Sequence, residues 1–156
     1  VKMAFKKARG DFIALIDGDG QMPAEDIAKC YLHSKENNTD ITMTYRITRG
    51  DGAYRKTLSY IYNSCFKLLF FYGGVKDLNS KPKVIKKEVI QCLNLKSNGW
   101  TIDAEIMLQS MKRKIKLIQR PTNFWGQPGG RDSFVGFKAI FEFIIFLLKQ
   151  RIFGIK

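Results

Sequence analysis

Phe12-Ile13-Ala14-Leu15-Ile16-Asp17-Gly18-Asp19-Gly20-Gln21 is the stretch whose reading decides the fold. Five apolar residues run into two aspartates separated by glycine, and Pro23, Glu25 and Asp26 follow. That pattern predicts a buried strand, a tight turn, and a helix with proline and acids in its first turn. The strand delivers two carboxylates to one edge of a sheet, and Gly18 and Gly20 let the backbone bend so that both converge. Carboxylates held that close repel unless a cation lies between them. A hard divalent ion with oxygen ligands, Mg2+ or Mn2+, fits, and such ions usually share their site with phosphate groups. An EF-hand loop is excluded, because Met22 and Ala28 stand where it needs Gly and Glu. An aspartyl-phosphate chemistry, with one Asp as nucleophile, fits poorly with Gln21. A solvated, idle acidic turn fits poorly with an apolar strand leading straight into it, since ligands collect at strand ends.

The chain of 156 residues is long enough for one domain with a core. It carries 27 Lys and Arg against 14 Asp and Glu, a formal net charge of +13. A surplus of that size favours an anionic partner: phosphate ligands, acidic lipid or nucleic acid. Cys30, Cys65 and Cys92 are dispersed and His33 is the lone histidine, which excludes a zinc site of Cys and His. The cysteines read as reduced core filler in a cytosolic protein, and His33 as a surface histidine. No apolar run approaches the roughly 20 residues of a membrane-spanning helix, and the opening residues do not read as a signal peptide. The chain opens at Val1 inside a helical pattern that Gly10 stops. An α/β sheet rarely begins with the helix before its functional strand, so a preceding segment is expected.

After the acidic turn, residues 23–37 read as a helix with Ile27, Tyr31 and Leu32 facing inward. Residues 40–45 alternate as a strand. The βαβ order predicts a parallel sheet with helices packed on it. Arg46 to Gly52 reads as a polar loop. A helix over residues 53–72 places Arg55, Ser59 and Asn63 on one face, and an arginine and a hydroxyl one turn apart suit phosphate oxygens. Gly73-Gly74 ends it. Residues 76–83 form a donor-rich loop, Val84-Ile85 a short strand, residues 87–95 a short helix. A helix over residues 102–114 carries Asp103 and Glu105 in its first turn, where acids also simply complement the helix dipole. Residues 116–119 read as a last strand ended by Arg120-Pro121, and residues 123–133 as a mobile Gly-rich loop near a ligand. From Phe134 the chain reads as a wide apolar helix with basic flanks, as in helices at a membrane interface; the competing reading is a core or oligomer helix.

The ordered set Asp17-x-Asp19-x-Gln21, Tyr45-Arg46, Arg55-x-x-x-Ser59, Lys76-Asp77-x-Asn79-Ser80, Asp103-Ala104-Glu105 and the 121–133 loop resembles the polyprenyl-phosphate transferases of glycosyltransferase family 2, the dolichol-phosphate mannosyltransferase group. The resemblance covers about residues 1–133. It implies an α/β GT-A (Rossmann-like) sheet with flanking helices, lacking its first βα units; the amphipathic helix read over residues 134–156 lies beyond it. It implies a nucleoside-diphosphate sugar donor, a polyprenyl phosphate acceptor, Mg2+ or Mn2+ as cofactor, and a peripheral position at the cytoplasmic face of an acidic membrane. Asp17, Asp19 and Gln21 would hold metal and diphosphate, and Arg46, Ser59 and Arg131 donor or lipid phosphate. Asp19, Arg55, Asp103 and Glu105 are the candidate catalytic residues.

Two departures stand out. Gln127 falls where the family has an arginine, with Arg131 as its substitute, and the family's first, base-binding strand is absent from this sequence. Transfer to a polysaccharide or a protein is the near alternative. A non-catalytic basic module for acidic membrane or nucleic acid is the distant one. Nucleic acid is not an expected partner, because the aromatics sit at helix-core spacing rather than among basic residues on a strand.

Overall fold

The computed structural model describes residues 1–50, 52–71, 73–126 and 137–154. In chain order the elements are α1 (Lys2–Lys7), β1 (Phe12–Leu15), α2 (Glu25–Glu36), β2 (Ile41–Arg49) and α3 (Ala53–Phe70). There follow β3 (Lys83–Lys86), α4 (Lys87–Cys92), α5 (Ile102–Lys112), β4 (Leu117–Phe124) and α6 (Phe137–Phe153).

The strands form one sheet in the order β1-β3-β2-β4. β2 and β4 are parallel, and β3 runs antiparallel to both β1 and β2. The expected parallel βαβ pair is therefore corrected: β1 and β2 share a direction, but β3 is inserted between them. β3 is buried on both faces, with Lys83, Val84 and Ile85 almost wholly enclosed. Val84 and Ile85 suit the centre of a sheet, and the buried Lys83 is accommodated there by its ion pair with Asp103.

A second correction concerns Arg46 to Arg49, expected in a loop. They continue β2, because β4 pairs with them as far as Arg49↔Phe124, with one register irregularity between Arg46 and Thr48. β4 likewise runs through Pro121 instead of stopping there. Proline lacks the N–H of a ladder bond and is tolerated here because β4 is an edge strand.

The apolar core lies along one face of the sheet, where Ile41 and Met43, two residues apart on β2, point the same way. One cluster gathers Phe5, Ile13, Ile41, Ile85, Val89 and Ile106; the other gathers Met43, Phe66, Leu78, Met107, Phe143 and Leu147. α5 contributes to both and is buried along Ile102–Ser110. Its apolar residues occupy every side rather than one stripe, the signature of an enclosed helix.

α2 departs from its expected orientation. Tyr31 and Leu32 are exposed, and Asp26, Cys30 and Ser34 face the sheet. Hydroxyls on the strands draw that polar stripe inward: Thr122 Oγ1 donates to Asp26 Oδ2, and Ser34 Oγ donates to Thr42 Oγ1 at 2.7 Å. His33 is half-buried, with Arg120 Nη1 3.1 Å from its Nδ1.

α6 packs one face on α3. Phe143 and Leu147 are buried, and the Phe143 ring lies nearly parallel to Tyr62, at 12°. The other face leaves Phe141, Leu148, Ile152 and Phe153 exposed. The core reading of this helix thus holds for one side of it. Among the described residues, no helix is long and apolar enough to cross a membrane.

Phe66 is enclosed between α3 and the second cluster. Phe66→Ala removes that ring and leaves a cavity, so urea unfolding should show a loss of about 3–5 kcal/mol. A loss below about 1 kcal/mol would contradict the packing described.

Candidate active site

The site assembles where β1, β2 and β4 end. Asp17 to Gly20 turn the chain after β1, and Gly20 takes φ +71°, which an L side chain rarely adopts. Asp19 Oδ1 accepts the Gln21 N–H at 3.1 Å and tightens the turn. Gln21 then clamps the turn to the end of β4. Its carbonyl accepts the Trp125 N–H at 2.8 Å, and its Nε2 donates to the Trp125 carbonyl at 3.2 Å. β2 and β4 close in the same place, with the Gly50 N–H on the Phe124 carbonyl at 2.8 Å. A Cβ on Gly50 would lie 2.2 Å from Gly126 N, so only glycine permits that approach.

Asp17, Asp19 and Gln21 line a cavity of ≈ 400 Å³. β2 adds Arg46 and Arg49 to its wall, α3 adds Arg55, Ser59 and Tyr62, and the loop before β3 adds Asn79. Leu58, Ile61 and Cys65 of α3 and Ala139, Ile140, Phe143 and Ile144 of α6 complete the lining with apolar surface. The cavity thus joins charged and apolar lining.

Arg46 is gripped from several sides. Its Nε donates to Asp77 Oδ2 at 2.6 Å, and its Nη2 donates to Asp77 Oδ1 at 2.8 Å and to Ser59 Oγ at 3.3 Å. The Phe124 ring lies 5.2 Å from the guanidinium carbon. Burial pushes the Asp77 carboxyl up, but the hydrogen bonds and charge of Arg46 outweigh it, and the net shift is downward. Asn63 lies beside Ser59 as expected, its Nδ2 donating to the Ser59 carbonyl at 2.7 Å, and it also holds the neighbouring loop: its Oδ1 accepts the Leu78 N–H at 2.8 Å.

A second charged cluster anchors that loop from beneath. Lys81 Nζ and Lys83 Nζ donate to the two oxygens of Asp103, at 2.5 and 2.6 Å. Lys83 is wholly buried, and burial pushes its ammonium down to about 8 although Asp103 pulls it upward. Asp103 is raised by burial and lowered further by the two lysines, for a net downward shift. Thr44 Oγ1 donates to the Lys81 carbonyl at 2.5 Å and bonds Ser80 Oγ at 2.9 Å.

The structure brings together Asp17, Asp19, Gln21, Arg46, Arg55 and Ser59 in one wall. It does not bring Asp103 or Glu105 there. Both are buried; Glu105 accepts the N–H groups of Lys96 (2.9 Å) and Ser97 (2.7 Å) and fixes the chain before α5. Acids in the first turn of a helix look alike in sequence whether they face a ligand, solvent or a neighbouring loop. Gln21 has its amide nitrogen engaged by Trp125, so its first task is to position the turn. Arg131 lies outside the described residues. Sequence reasoning gave no role to Asp77, Asn79, Arg49 and Tyr62. The signal for the first two was present in the Lys76–Ser80 motif, without a partner to explain it.

A divalent ion fits this wall on chemical grounds. Among the described residues, no group of three or more His, Cys, Asp or Glu could cage a metal. Two carboxylates at a cavity rimmed by arginines suit an Mg2+-type ion instead, which takes one or two carboxylates and completes its shell with phosphate oxygens and water.

Asp103→Asn leaves two lysines without a carboxylate and should cost about 3–5 kcal/mol in urea unfolding at neutral pH. The sign with pH follows from the lowered folded values of Asp77 and Asp103. Their stabilisation is complete above the unfolded value near 4, and it is lost as pH falls through the lowered folded values. The acid limb of stability should therefore be shallower in Asp103→Asn than in wild type. An identical acid limb would contradict the cluster.

Comparison with known proteins follows the same lines as the geometry. Glucosyl-3-phosphoglycerate synthase from Mycobacterium tuberculosis, solved in complex with phosphoglyceric acid, matches 99% of this chain and 54% of its own, with a TM-score of 0.73 at 13% identity. The fold is thus the GT-A fold. Dolichol-phosphate mannosyltransferase of Pyrococcus furiosus is 29% identical over 146 residues, 90% of this chain and 40% of that protein. The low-salt glycan biosynthesis hexosyltransferase Agl6 of Haloferax volcanii is 22% identical over 132 residues, 81% of this chain and 32% of that protein. The chain therefore spans about a third to two fifths of the length of these curated relatives. The sequence profile described as Glycosyl transferase family 2 matches residues 1–93, more than half of the chain, and the protein belongs to that family.

Proposed function

We propose that this chain forms part of a metal-dependent, inverting transferase that moves a sugar from a nucleoside diphosphate to a polyprenyl phosphate at the cytoplasmic face of a membrane. The observation that carries this reading is the mixed lining of the cavity. Its charged lining, with Asp17, Asp19, Arg46, Arg49 and Arg55, suits phosphate groups. Its apolar lining, built by α3 and α6, suits a hydrocarbon chain leaving one of those phosphates. The apolar lining favours a lipid carrier over a sugar or protein acceptor.

Chemistry at this wall is mainly charge neutralisation and positioning. An acceptor phosphate is already anionic at neutral pH and needs no strong general base. It attacks the anomeric carbon while the bond from that carbon to the diphosphate oxygen breaks, and a single displacement inverts the centre. A divalent ion held by Asp17 and Asp19 would neutralise the leaving diphosphate. Arg46, Arg55 and Ser59 hold phosphate oxygens, and the Tyr62 hydroxyl, pushed upward by burial, stays protonated as a neutral donor.

Membrane attachment rests on the exposed residues around α3 and α6. Ile61, Leu68, Phe71, Phe141, Ile152 and Phe153 are exposed, and Arg151 lies over the Phe71 ring at 5.4 Å. Apolar side chains with basic neighbours suit an anionic bilayer surface.

In the full-length protein, Asp19→Ala should cut Mg2+- or Mn2+-dependent transfer from a nucleoside-diphosphate sugar to polyprenyl phosphate by about 10²–10³. Ile144→Asp should raise KM for a long-chain carrier by about tenfold while leaving a short-chain phosphate nearly unaffected, since it removes roughly 1–3 kcal/mol of apolar contact. Retained metal dependence and turnover in the first variant, or equal KM changes in the second, would overturn the reading.

A further inference from the structure

Arg46 combines deep enclosure with unused donors. Its side chain and that of Asp77 are each 10% exposed. A guanidinium offers five N–H donors. Nε and Nη2 are engaged by Asp77 and Ser59, whereas the two donors of Nη1 have no partner among the described residues. Arg46 lines the cavity, and Nη1 is not among the buried unpartnered atoms, so these two donors face open space there. Donors that face a cavity are available to an acceptor atom brought by a ligand.

The grip has a specific shape. Arginine usually takes a phosphate or carboxylate through a two-pronged fork. Asp77 already occupies the fork formed by Nε and Nη2, and it also accepts the backbone N–H of Arg46 at 3.4 Å. Asp77 is itself held on both sides. Asn63 fixes the next residue, Leu78, and the Lys81–Asp103–Lys83 cluster fixes the end of the loop. Arg46 therefore cannot swing to embrace an anion, and its single charge is already balanced by Asp77.

We infer that Asp77 is a positioning residue of the proposed transferase: it fills the fork of Arg46 so that only Nη1 meets a substrate phosphate oxygen, end-on. This rests on the transferase reading of the cavity. The arrangement gives up ground-state attraction for geometry. A freed arginine would bind any phosphate more tightly, in the ground state as well as in the transition state, and tightness common to both does not raise kcat.

The test uses the full-length protein, with pyrophosphate binding followed by calorimetry and sugar transfer assayed in parallel. Asp77→Asn keeps the shape and removes the charge. It should bind pyrophosphate about three- to tenfold more tightly, because a balancing charge is gone, while kcat falls about tenfold or more through lost positioning. A purely structural role moves both the same way, with weaker binding and lower turnover. Unchanged or weaker pyrophosphate binding, or unchanged kcat, overturns the inference. If circular dichroism shows Asp77→Asn unfolded, Arg46→Lys decides: it keeps the charge and lacks the fork. Its pyrophosphate affinity should stay within about threefold while kcat falls about tenfold, and undiminished kcat overturns the inference. A wild-type protein that transfers no sugar, yet binds pyrophosphate more tightly after Asp77→Asn, contradicts the transferase reading and supports the part played by Asp77.

Discussion

Two lysines share one buried carboxylate, and much of the site depends on that arrangement. Lys81 and Lys83 reach Asp103 from the start of β3, and Asp103 sits in the first turn of α5, the helix enclosed by both core clusters. Removing such charges from water costs several kcal/mol per ion. The cluster is therefore poor ballast for overall stability. Its value is in register. It fixes where β3 enters the sheet, and so where the loop from Asp77 to Ser80 lies against β2 and α3. That loop in turn holds Arg46.

The same constraint explains how opposite chemistries meet in one cavity. Strand ends gather the acidic turn and the arginines, with Gln21, Trp125, Gly50 and Gly126 drawing β1, β2 and β4 together. α6 then lies across α3 and supplies an apolar lid to the same space. Covering a charged wall with apolar side chains lowers the local dielectric and strengthens every interaction made by the arginines.

The sequence made some of this legible and hid the rest for physical reasons. Asp17 and Asp19 could be read because an apolar run ends on glycine-punctuated acids. Arg55 and Ser59 could be read because spacing by four sets one helix face. The inward face of α2 could not, because Asp26 and Ser34 turn inward for hydroxyls on β4 and β2 that local periodicity does not contain. The insertion of β3 could not, because a four-residue strand carries no mark of its neighbours. Asp103 resembled an ordinary helix-start acid, and its two lysine partners lie about twenty residues earlier in the chain.

The central claim is that one wall, formed by Asp17, Asp19, Arg46 and Ser59, binds a divalent ion together with a diphosphate. The most direct measurement is paramagnetic broadening of backbone NMR signals when Mn2+ is added to the full-length protein in the presence of a nucleoside diphosphate. Broadening should centre on residues 17–21 and extend to Arg46, Ser59 and Asn79, leaving Lys112 to Lys116 sharp. Broadening centred elsewhere, or none that depends on the diphosphate, would contradict the account.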